Sequence, residues 1–487
     1  MHLKKMNLQL LNSIITSSIV QCAIVLILVC NLFGCVAKSP PLTNTKDRIS
    51  RVPSAYSSKL QEAPSTHDWV KEISNDRILS GLIKEVLNNN IDIKKAANNV
   101  QRAASTARIS GSNKFPKFSG GVGGQRNQQA FLGLPFDTDD PQLSKSLFNA
   151  YGLSLDMQWE IDLWGRIKAG QEADIAQLEA TYETFQGIQN SLAAQTAKIW
   201  FAILGSRQQV ALAESSLESF KESQKIIQQA YDSSNAKASQ LYLAISDVKV
   251  AEALLVDRRA QTRAAIRQLE IMMGRYPSGK LHAQGSLPSM PPPPPPGLPS
   301  DLLFRRTDIK AAERRLAASD RRIKEARLAL LPQISLTGNT GTATESLRYI
   351  ADSTAAVWSL AGQAGAQLFR GGEILANLKL RKINQSDSLI DYKNTYLEAL
   401  KDVETCLDNE LVLKKRWQAL TAAKTNSTDS YNRALMEYKS GIGTSTNLLL
   451  SQRQMLSVSS QVLELERMRL ENRINLHLSL GGTAKKQ

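Results

Sequence analysis

Hydrophobic and polar residues alternate with a period of two in four segments of this chain. The clearest is 151–162, where every odd position is apolar or aromatic and every even position is glycine, polar or acidic. Weaker alternation runs through 117–125, 332–341 and 357–369. Strands with one apolar and one polar face, about 9–11 residues long, are typical of membrane-spanning β-structure. The same pattern also suits an amphipathic sheet packed on helices in a soluble protein, so periodicity alone leaves both interpretations open.

Long helical patterns surround these strands. Apolar residues at steps of three and four predict helix over 76–110, 166–231 and 240–273, and again over 377–438 and 447–480. The second of these would be about 100 Å long at ~1.5 Å per residue. Its predicted contact seam has the spacing of a coiled coil and consists of Leu178, Tyr182, Phe185, Leu192, Ile199 and Ile203. Helices of this length suit an elongated bundle or a tube.

The two halves of the chain resemble each other. Four residue pairs are 207 positions apart: Tyr231 and Tyr438, Leu241 and Leu448, Leu269 and Leu476, Gly274 and Gly481. Each half has the order helix, two strands, two long helices, so we predict an internally duplicated fold, mainly α with a small β part. Prolines at 291–296 favour an extended polyproline II spacer between the halves. We place the first repeat at 67–290, the linker at 291–299, the second repeat at 300–482 and a tail at 483–487.

The N-terminus has the pattern of an export signal. Two lysines precede an apolar run at 19–32, which ends in Leu-Phe-Gly and then Cys35. This ending resembles a bacterial lipobox, in which the cysteine becomes the first mature residue and carries lipid. We predict a signal peptide at 1–34, lipid on Cys35 and an extended tether over 35–66. An uncleaved N-terminal anchor is the alternative.

Composition excludes several classes of protein. The chain has 487 residues, of which 42% are hydrophobic and 22% charged, so wholesale disorder is excluded. Four cysteines exclude a disulfide scaffold, and four scattered histidines disfavour a metal enzyme. The formal net charge is +15. Because basic and acidic residues are mixed along the helices, with no aromatic-basic module, we expect no nucleic-acid partner.

Catalytic motifs are equally absent. Residues 274–280 fit the spacing G-x-x-x-x-G-K, but Leu281 stands where a phosphate-binding loop needs Ser or Thr. Pro277 also lacks an N–H that could contact phosphate. No nucleophile, histidine and acid occur in a recognisable catalytic arrangement. We therefore expect no enzyme activity and no cofactor or metal.

A four-stranded sheet in lipid would leave backbone groups unpaired at its edges, at several kcal/mol each. If the strands span a membrane, further copies of the chain must complete a barrel. Two copies give eight strands with a side-chain-filled interior, whereas three give twelve with a polar lumen. The acidic and amide-rich face of 151–162 favours three or more copies.

Several sequence blocks resemble the TolC-type outer-membrane factor family, in its lipid-anchored multidrug-efflux (NodT-like) branch. They are WEIDLWGR at 159–166, GLPSDLL at 297–303, RRTDI at 305–309, LPQISLTG at 331–338 and LSLGG at 478–482. The resemblance implies a homotrimer, with a twelve-stranded outer-membrane β-barrel continuing into a periplasmic α-barrel. It also implies a passive exit duct in outer-membrane lipid, energised by an inner-membrane pump through a periplasmic adaptor.

The resemblance suggests roles for particular residues. Gly165 and Gly371 would be the elbows where strand passes into helix. The two helix turns would form the periplasmic tip, which contacts the adaptor and sets the closed diameter, through Tyr231, Asp232, Asn235, Tyr438, Lys439, Gly441, Gly443 and Thr444. Gly443 and Leu450 stand where relatives often have Asp. An acidic ring is therefore not visible there, and Asp232 and Asp247 are the nearest substitutes.

Three functions remain open at this point. The first is the outer-membrane duct of a tripartite efflux system for small molecules such as drugs. The second is the same architecture serving type I protein secretion. The third is a lipid-anchored coiled-coil scaffold without a pore.

Overall fold

The structure is a computed structural model that describes Tyr56, Val70, Ile73 and residues 76–131, 144–281, 285–294, 297 and 299–482. The predicted signal peptide, Cys35 and the tail at 483–487 lie outside the described residues. Within the described ranges, no helix is both long enough and apolar enough to cross a membrane.

Over residues 76–131, 144–281 and 285–290, the first repeat has four helices and two strands. They are α1 (Arg77–Asn89), α2 (Ile91–Ser112), β1 (Lys117–Phe131), β2 (Ser144–Ile161), α3 (Arg166–Asp232) and α4 (Ala238–Met272). The single helix expected over 76–110 is wrong, because Asn90 interrupts it. The Asn90 side chain accepts hydrogen bonds from the Asp92 and Ile93 N–H groups and donates to the Met272 carbonyl. It therefore caps α2 and fixes the break against the end of α4.

The second repeat has the same order of elements. They are α5 (Leu302–Arg305), α6 (Thr307–Leu328), β3 (Gln333–Thr342), β4 (Ala356–Gly365), α7 (Glu373–Lys439) and α8 (Ser445–Ser479). Helices α3 and α7 each have 67 residues, and α4 and α8 each have 35. Both pairs begin 207 positions apart, which confirms the internal duplication.

The four strands form one antiparallel sheet in the order β1-β2-β3-β4. The pairing register aligns the alternating residues of β2 with those of its neighbours. Apolar Met157 lies opposite Phe118 and Gly338, and polar Gln158 lies opposite Lys117 and Thr337. One face is consequently apolar and the other polar. β1 and β2 extend well beyond their expected ends, whereas β4 stops at Gly365, short of 369.

The seam expected on α3 is buried only in part: Ile203 is fully buried and Ile199 packs against the core. Alanine is the commonest residue on the buried face of this helix. Its fully buried small residues are Ala169, Ala173, Ala176, Ala180, Ala193, Ala194 and Ala197. Tyr182, by contrast, is 49% exposed, and Leu192 is only partly buried. Small side chains allow α2, α6 and α8 to approach α3 closely on several sides, so no single apolar stripe marks the contact.

Tyr56 lies in the stretch expected to be an extended tether, yet it is buried. Its ring belongs to the core cluster of the second repeat, which also contains Leu302 and Tyr396. At this residue the N-terminal segment is docked on the helices, because burying an aromatic ring is worth more than leaving it in water.

A buried polar cluster joins the linker to α8. The Arg473 guanidinium, with 1% of its side chain exposed, pairs with the Glu410 carboxylate at 2.5 Å and donates to the Pro291 carbonyl. His477 lies one helical turn further and is also buried. Burial, reinforced by Arg473, lowers the pKa of His477 to about 4. The folded chain therefore requires a neutral imidazole.

We expect the folded chain to lose stability as pH falls from about 6.5 to about 4. In this window the unfolded chain binds a proton at His477 and the folded chain does not, which costs up to about 3 kcal/mol. A His477→Gln variant should show a shallower pH dependence of the melting temperature by circular dichroism. Identical slopes for wild type and variant would contradict this assignment.

Candidate functional site

The two turns joining the long helices lie at the same end of the molecule. Ile227 and Leu241 beside the first turn form one apolar cluster with Leu449 after the second, and Tyr438 packs against it. The residues expected at the tip therefore come together from both repeats. In the first repeat they are Tyr231, Asp232 and Asn235, and in the second Tyr438, Lys439, Gly441, Gly443 and Thr444.

The turns are equivalent in backbone although their sequences differ. Ser234 in the first and Gly441 in the second, 207 positions apart, both adopt left-handed conformations with φ of 61° and 78°. A side chain at Gly443 would place its Cβ 3.0 Å from the Tyr438 nitrogen. A side chain at Gly443 would therefore crowd the second turn. Thr444 caps α8 by accepting a hydrogen bond from the Asn447 N–H.

Behind the turns, polar side chains connect the two hairpins. Both oxygens of the Asp247 carboxylate on α4 contact the Arg453 guanidinium on α8, at 2.7 and 3.1 Å. Gln452, which is 0% exposed, donates to Ser219 on α3 and accepts from Ser223. These contacts hold the first repeat to the second, so the hairpins cannot separate without breaking them.

The remaining charges at the tip are modest. The Asp232 carboxylate accepts from Gln228, and the Lys439 ammonium lies 3.8 Å from Glu222. Ile442 and Leu450 are 83% and 63% exposed. Asp247 is paired with Arg453, whereas Asp232 has only the Gln228 amide as a partner among the described contacts.

The sequence alone did not identify Gln452 and Arg453. Gln452 lies four residues after the buried Leu448, so a helical wheel of α8 places Gln452 on the same buried face. A fully buried amide on such a face indicates a hydrogen-bonded contact with a neighbouring helix. This was the available signal.

The first strand-to-helix junction is held by several side chains. Gly165 precedes α3 with φ 79°, which is a left-handed conformation suited to glycine. The Asp162 carboxylate accepts hydrogen bonds from the Ile167 and Lys168 N–H groups and thereby caps α3. Glu160 pairs with Arg166 at 2.7 Å.

The second junction has fewer such contacts. Gly371 has φ 54°, but the residue that caps α7 and corresponds to Gly165 at the 207 spacing is Gly372, with φ 87°. The elbow of the second repeat thus includes Gly371, as expected, together with Gly372 after it. Leu368 and Phe369 before it are 95% and 87% exposed.

A polar cavity of about 500 Å³ lies beside the first junction. The polar face of the sheet contributes Gln158 and Thr337, and Arg322 and Glu325 reach it from α6. Arg322 pairs with Glu325 and with Asp174. The polar strand face therefore continues into a polar helical surface.

The loop at 274–280, which resembles a phosphate-binding loop, binds a carboxylate of the chain itself. The N–H groups of Gly279 and Lys280 donate to the Glu270 carboxylate at 2.7 and 3.4 Å, and the Ser278 hydroxyl also donates to it. Backbone donors that a phosphate would need are thus engaged. In the described part of the chain, no three His, Cys, Asp or Glu side chains are grouped to hold a metal ion.

The family model for outer membrane efflux proteins matches residues 82–275 and 298–482, one block on each side of the proline linker. The chain therefore belongs to the outer membrane efflux protein family. The model covers the sheet and, in each repeat, the strand-to-helix junction and the helical hairpin.

Individual proteins support the same assignment. The chain is 27% identical over 407 residues to the probable efflux pump outer membrane protein SepC of Pseudomonas putida, covering 84% of each chain. It is 26% identical over 457 residues to the probable outer membrane lipoprotein SilC of Salmonella typhimurium, covering 93% of this chain and 96% of SilC. The solved outer-membrane channel OprN superimposes with a TM-score of 0.79 at 25% identity, over 89% of this chain and 98% of OprN.

We predict that Asp247→Asn loosens the contact between the hairpins. The substitution removes the charge that neutralises Arg453, and hydrogen bonds to charged groups are worth about 1.5–3 kcal/mol. Hydrogen exchange in the first turns of α8 should accelerate roughly ten-fold or more, as 1.4 kcal/mol corresponds to a factor of ten.

The matched control is Asp257→Asn, which removes an exposed carboxylate from the same helix. It should leave exchange in α8 unchanged, since Asp257 contacts only Gln261 of its own helix among the contacts described. Equal acceleration in both variants would show that Asp247 has no special role in joining the hairpins.

Proposed function

We propose that this chain forms, as a homotrimer, the exit duct of a tripartite efflux system in the outer membrane. It would conduct small molecules passively from an inner-membrane pump and a periplasmic adaptor to the exterior. The chain has the role of a channel and not of an enzyme, in agreement with its family. Cys35 would carry the lipid, after removal of residues 1–34, and residues 35–66 would lead from the membrane to the helices.

The observation that carries this proposal is the sheet with two unpaired edges. β1 and β4 each have one hydrogen-bonded neighbour among the described strands, and every residue of β4 is exposed. The sheet has an apolar face for lipid and a polar face for water. Strands from neighbouring copies would satisfy both edges, and three copies would give twelve strands around a polar lumen.

The hairpin tip is the proposed gate. Its two turns would meet the adaptor, and the Asp247–Arg453 and Gln452 contacts would hold the hairpins in the closed arrangement. Opening would require the first and second repeats to move apart at these contacts. This movement needs no catalytic or nucleotide-binding group in the chain. The energy for opening would come from the partner proteins.

Two measurements on the detergent-extracted protein test the proposal. Light scattering should give the mass of three chains, and insertion into planar lipid bilayers should produce ion conductance. A monomer that never conducts would support the lipid-anchored scaffold instead. In cells, deletion of the gene should increase sensitivity to small toxic compounds and leave protein export intact, whereas the reverse would favour type I secretion.

We expect Lys439→Glu to alter adaptor pairing or to increase leakage through the tip. The new carboxylate would lie near Glu222, so an attraction becomes a repulsion at the end of α7. Dye retention in cells that express the adaptor and pump measures both effects.

Lys249→Glu provides the control for this reversal. Lys249 is exposed and is paired with Glu252, but it lies on α4 away from both turns. It should pump and leak like wild type. If Lys439→Glu also behaves like wild type, the assignment of the tip as adaptor contact and gate is wrong.

A further inference from the structure

A groove lies over α3 between α4 and α8, and one end of it extends to α7. Two adjacent cavities of about 410 and 260 Å³ form it. They share Gln209, Arg258, Ser460 and Gln461, so the groove is continuous. We call it the α8 groove. Its size falls in the range of small-molecule sites, roughly 300–1,000 Å³.

The end of the α8 groove nearer the tip is apolar. Leu212 and Phe220 on α3 contribute to its floor, and Leu456 on α8 lies beside them. Val250 and Leu254 on α4 form one wall and are 64% and 42% exposed. A bound molecule that covered these side chains would gain hydrophobic free energy in proportion to the apolar area removed from water.

At the other end of the α8 groove, two arginine side chains have no carboxylate partner among the described contacts. Arg258 on α4 and Arg416 on α7 both line the smaller cavity. Of the carboxylates along the groove, Asp247 is paired with Arg453 and Glu464 with Arg467. Within the described residues, no carboxylate pairs with Arg258, which donates only to the Gln261 amide, or with Arg416.

Assembly into an oligomer need not cover the groove. Helix α4 has a second exposed apolar stripe that includes Tyr242 and Val256, 70% and 66% exposed. At ~100° per residue the centre of this stripe is turned by about a third of a turn from the midpoint between Val250 and Leu254. Neighbouring copies can therefore pack on the far side of α4 and leave the α8 groove open.

We propose that the α8 groove binds organic anions. The apolar or aromatic part of the molecule lies against Leu212, Leu254 and Leu456, each about one helical turn from the arginine end, and its acidic group contacts the Arg258 and Arg416 guanidiniums. Planar guanidinium groups suit carboxylate and sulfonate oxygens, which they contact through paired hydrogen bonds. Binding of these anions can be measured without transport. The inference rests on the proposed function only in taking the bound anions to be transported molecules.

The test is calorimetric titration of the detergent-free protein in amphipol with naphthalene-2-sulfonate. Naphthalene-2-sulfonamide, which has the same ring but no charge, is the matched probe. We expect saturable sulfonate binding, with the sulfonamide at least ten-fold weaker. Arg258→Gln and Arg416→Gln should each weaken sulfonate binding about ten-fold, and the double variant should bind both probes alike.

Arg433→Gln is the control, since Arg433 is exposed on α7 and does not line the α8 groove. It should bind the sulfonate like wild type. The proposal fails if wild type shows no saturable sulfonate binding, if the double variant keeps wild-type affinity, or if Arg433→Gln weakens binding equally. A protein that conducts ions yet fails these tests would retain the proposed function and lose only this inference.

The Ser457→Cys variant, altered beside Leu456 on α8, tests whether the groove is open in the assembled protein. In the purified oligomer, Ser457→Cys should react with a charged maleimide, and naphthalene-2-sulfonate should slow the reaction. If the cysteine instead crosslinks to a neighbouring copy, the groove is a contact between copies. If it is shielded only in cells that express the partner proteins, the groove is a docking surface for a protein. Either result would overturn the proposal.

Discussion

The structure depends on one constraint, which is that every backbone N–H and C=O in a sheet needs a partner. In the described sheet β2 and β3 are paired on both sides, whereas β1 and β4 each keep one open edge. Most small domains conceal such edges with a helix or a loop. Among the described residues, β1 pairs only with β2 and β4 only with β3, so the outer edge of each strand stays open. The exposure of β4 along its whole length follows directly.

The duplication has a consequence for how the helical part is held together. Each repeat supplies one hairpin, and both hairpins have helices of matching length. The contacts that depend most on exact geometry lie between the repeats. They are the Asp247–Arg453 ion pair and the Gln452–Ser219 hydrogen bond. Apolar and alanine contacts are tolerant of small shifts, whereas a bidentate ion pair is not. The relative position of the repeats near the tip is therefore set by a few polar side chains.

Much of the fold could be predicted from the sequence. The 207-residue spacing and the alternation in 151–162 are strong patterns, and the long helices and the sheet follow from them. The alanine-rich contact face of α3 could not be predicted, because alanine carries little hydrophobic signal although its small side chain permits close helix packing. The break at Asn90 was missed for a related reason, since a capping side chain and an ordinary helical asparagine look alike in sequence.

The candidate site was predictable only in part. The turns were identified because polar and glycine-containing segments interrupt two long periodic runs. Asp247 was noticed as an acid, but its pairing with Arg453 depends on how the hairpins lie side by side, which one sequence does not state. Gly372 could have been found by applying the 207 spacing to Gly165, and Ser234 by applying it to Gly441. Cys35 lies outside the described residues.

The two strand-to-helix junctions differ in stiffness. At the first, the Asp162 cap, the Glu160–Arg166 pair and the Trp164 hydrogen bond to the Pro332 carbonyl brace α3 against the sheet. At the second, two successive left-handed glycines precede α7, and the adjacent Arg370–Glu373 pair is exposed. Bending at Gly371 and Gly372 thus costs less than bending at Gly165. A force applied at the far end of the helices should therefore rotate the second hairpin about Gly371 and Gly372 more easily than it rotates the first hairpin about Gly165.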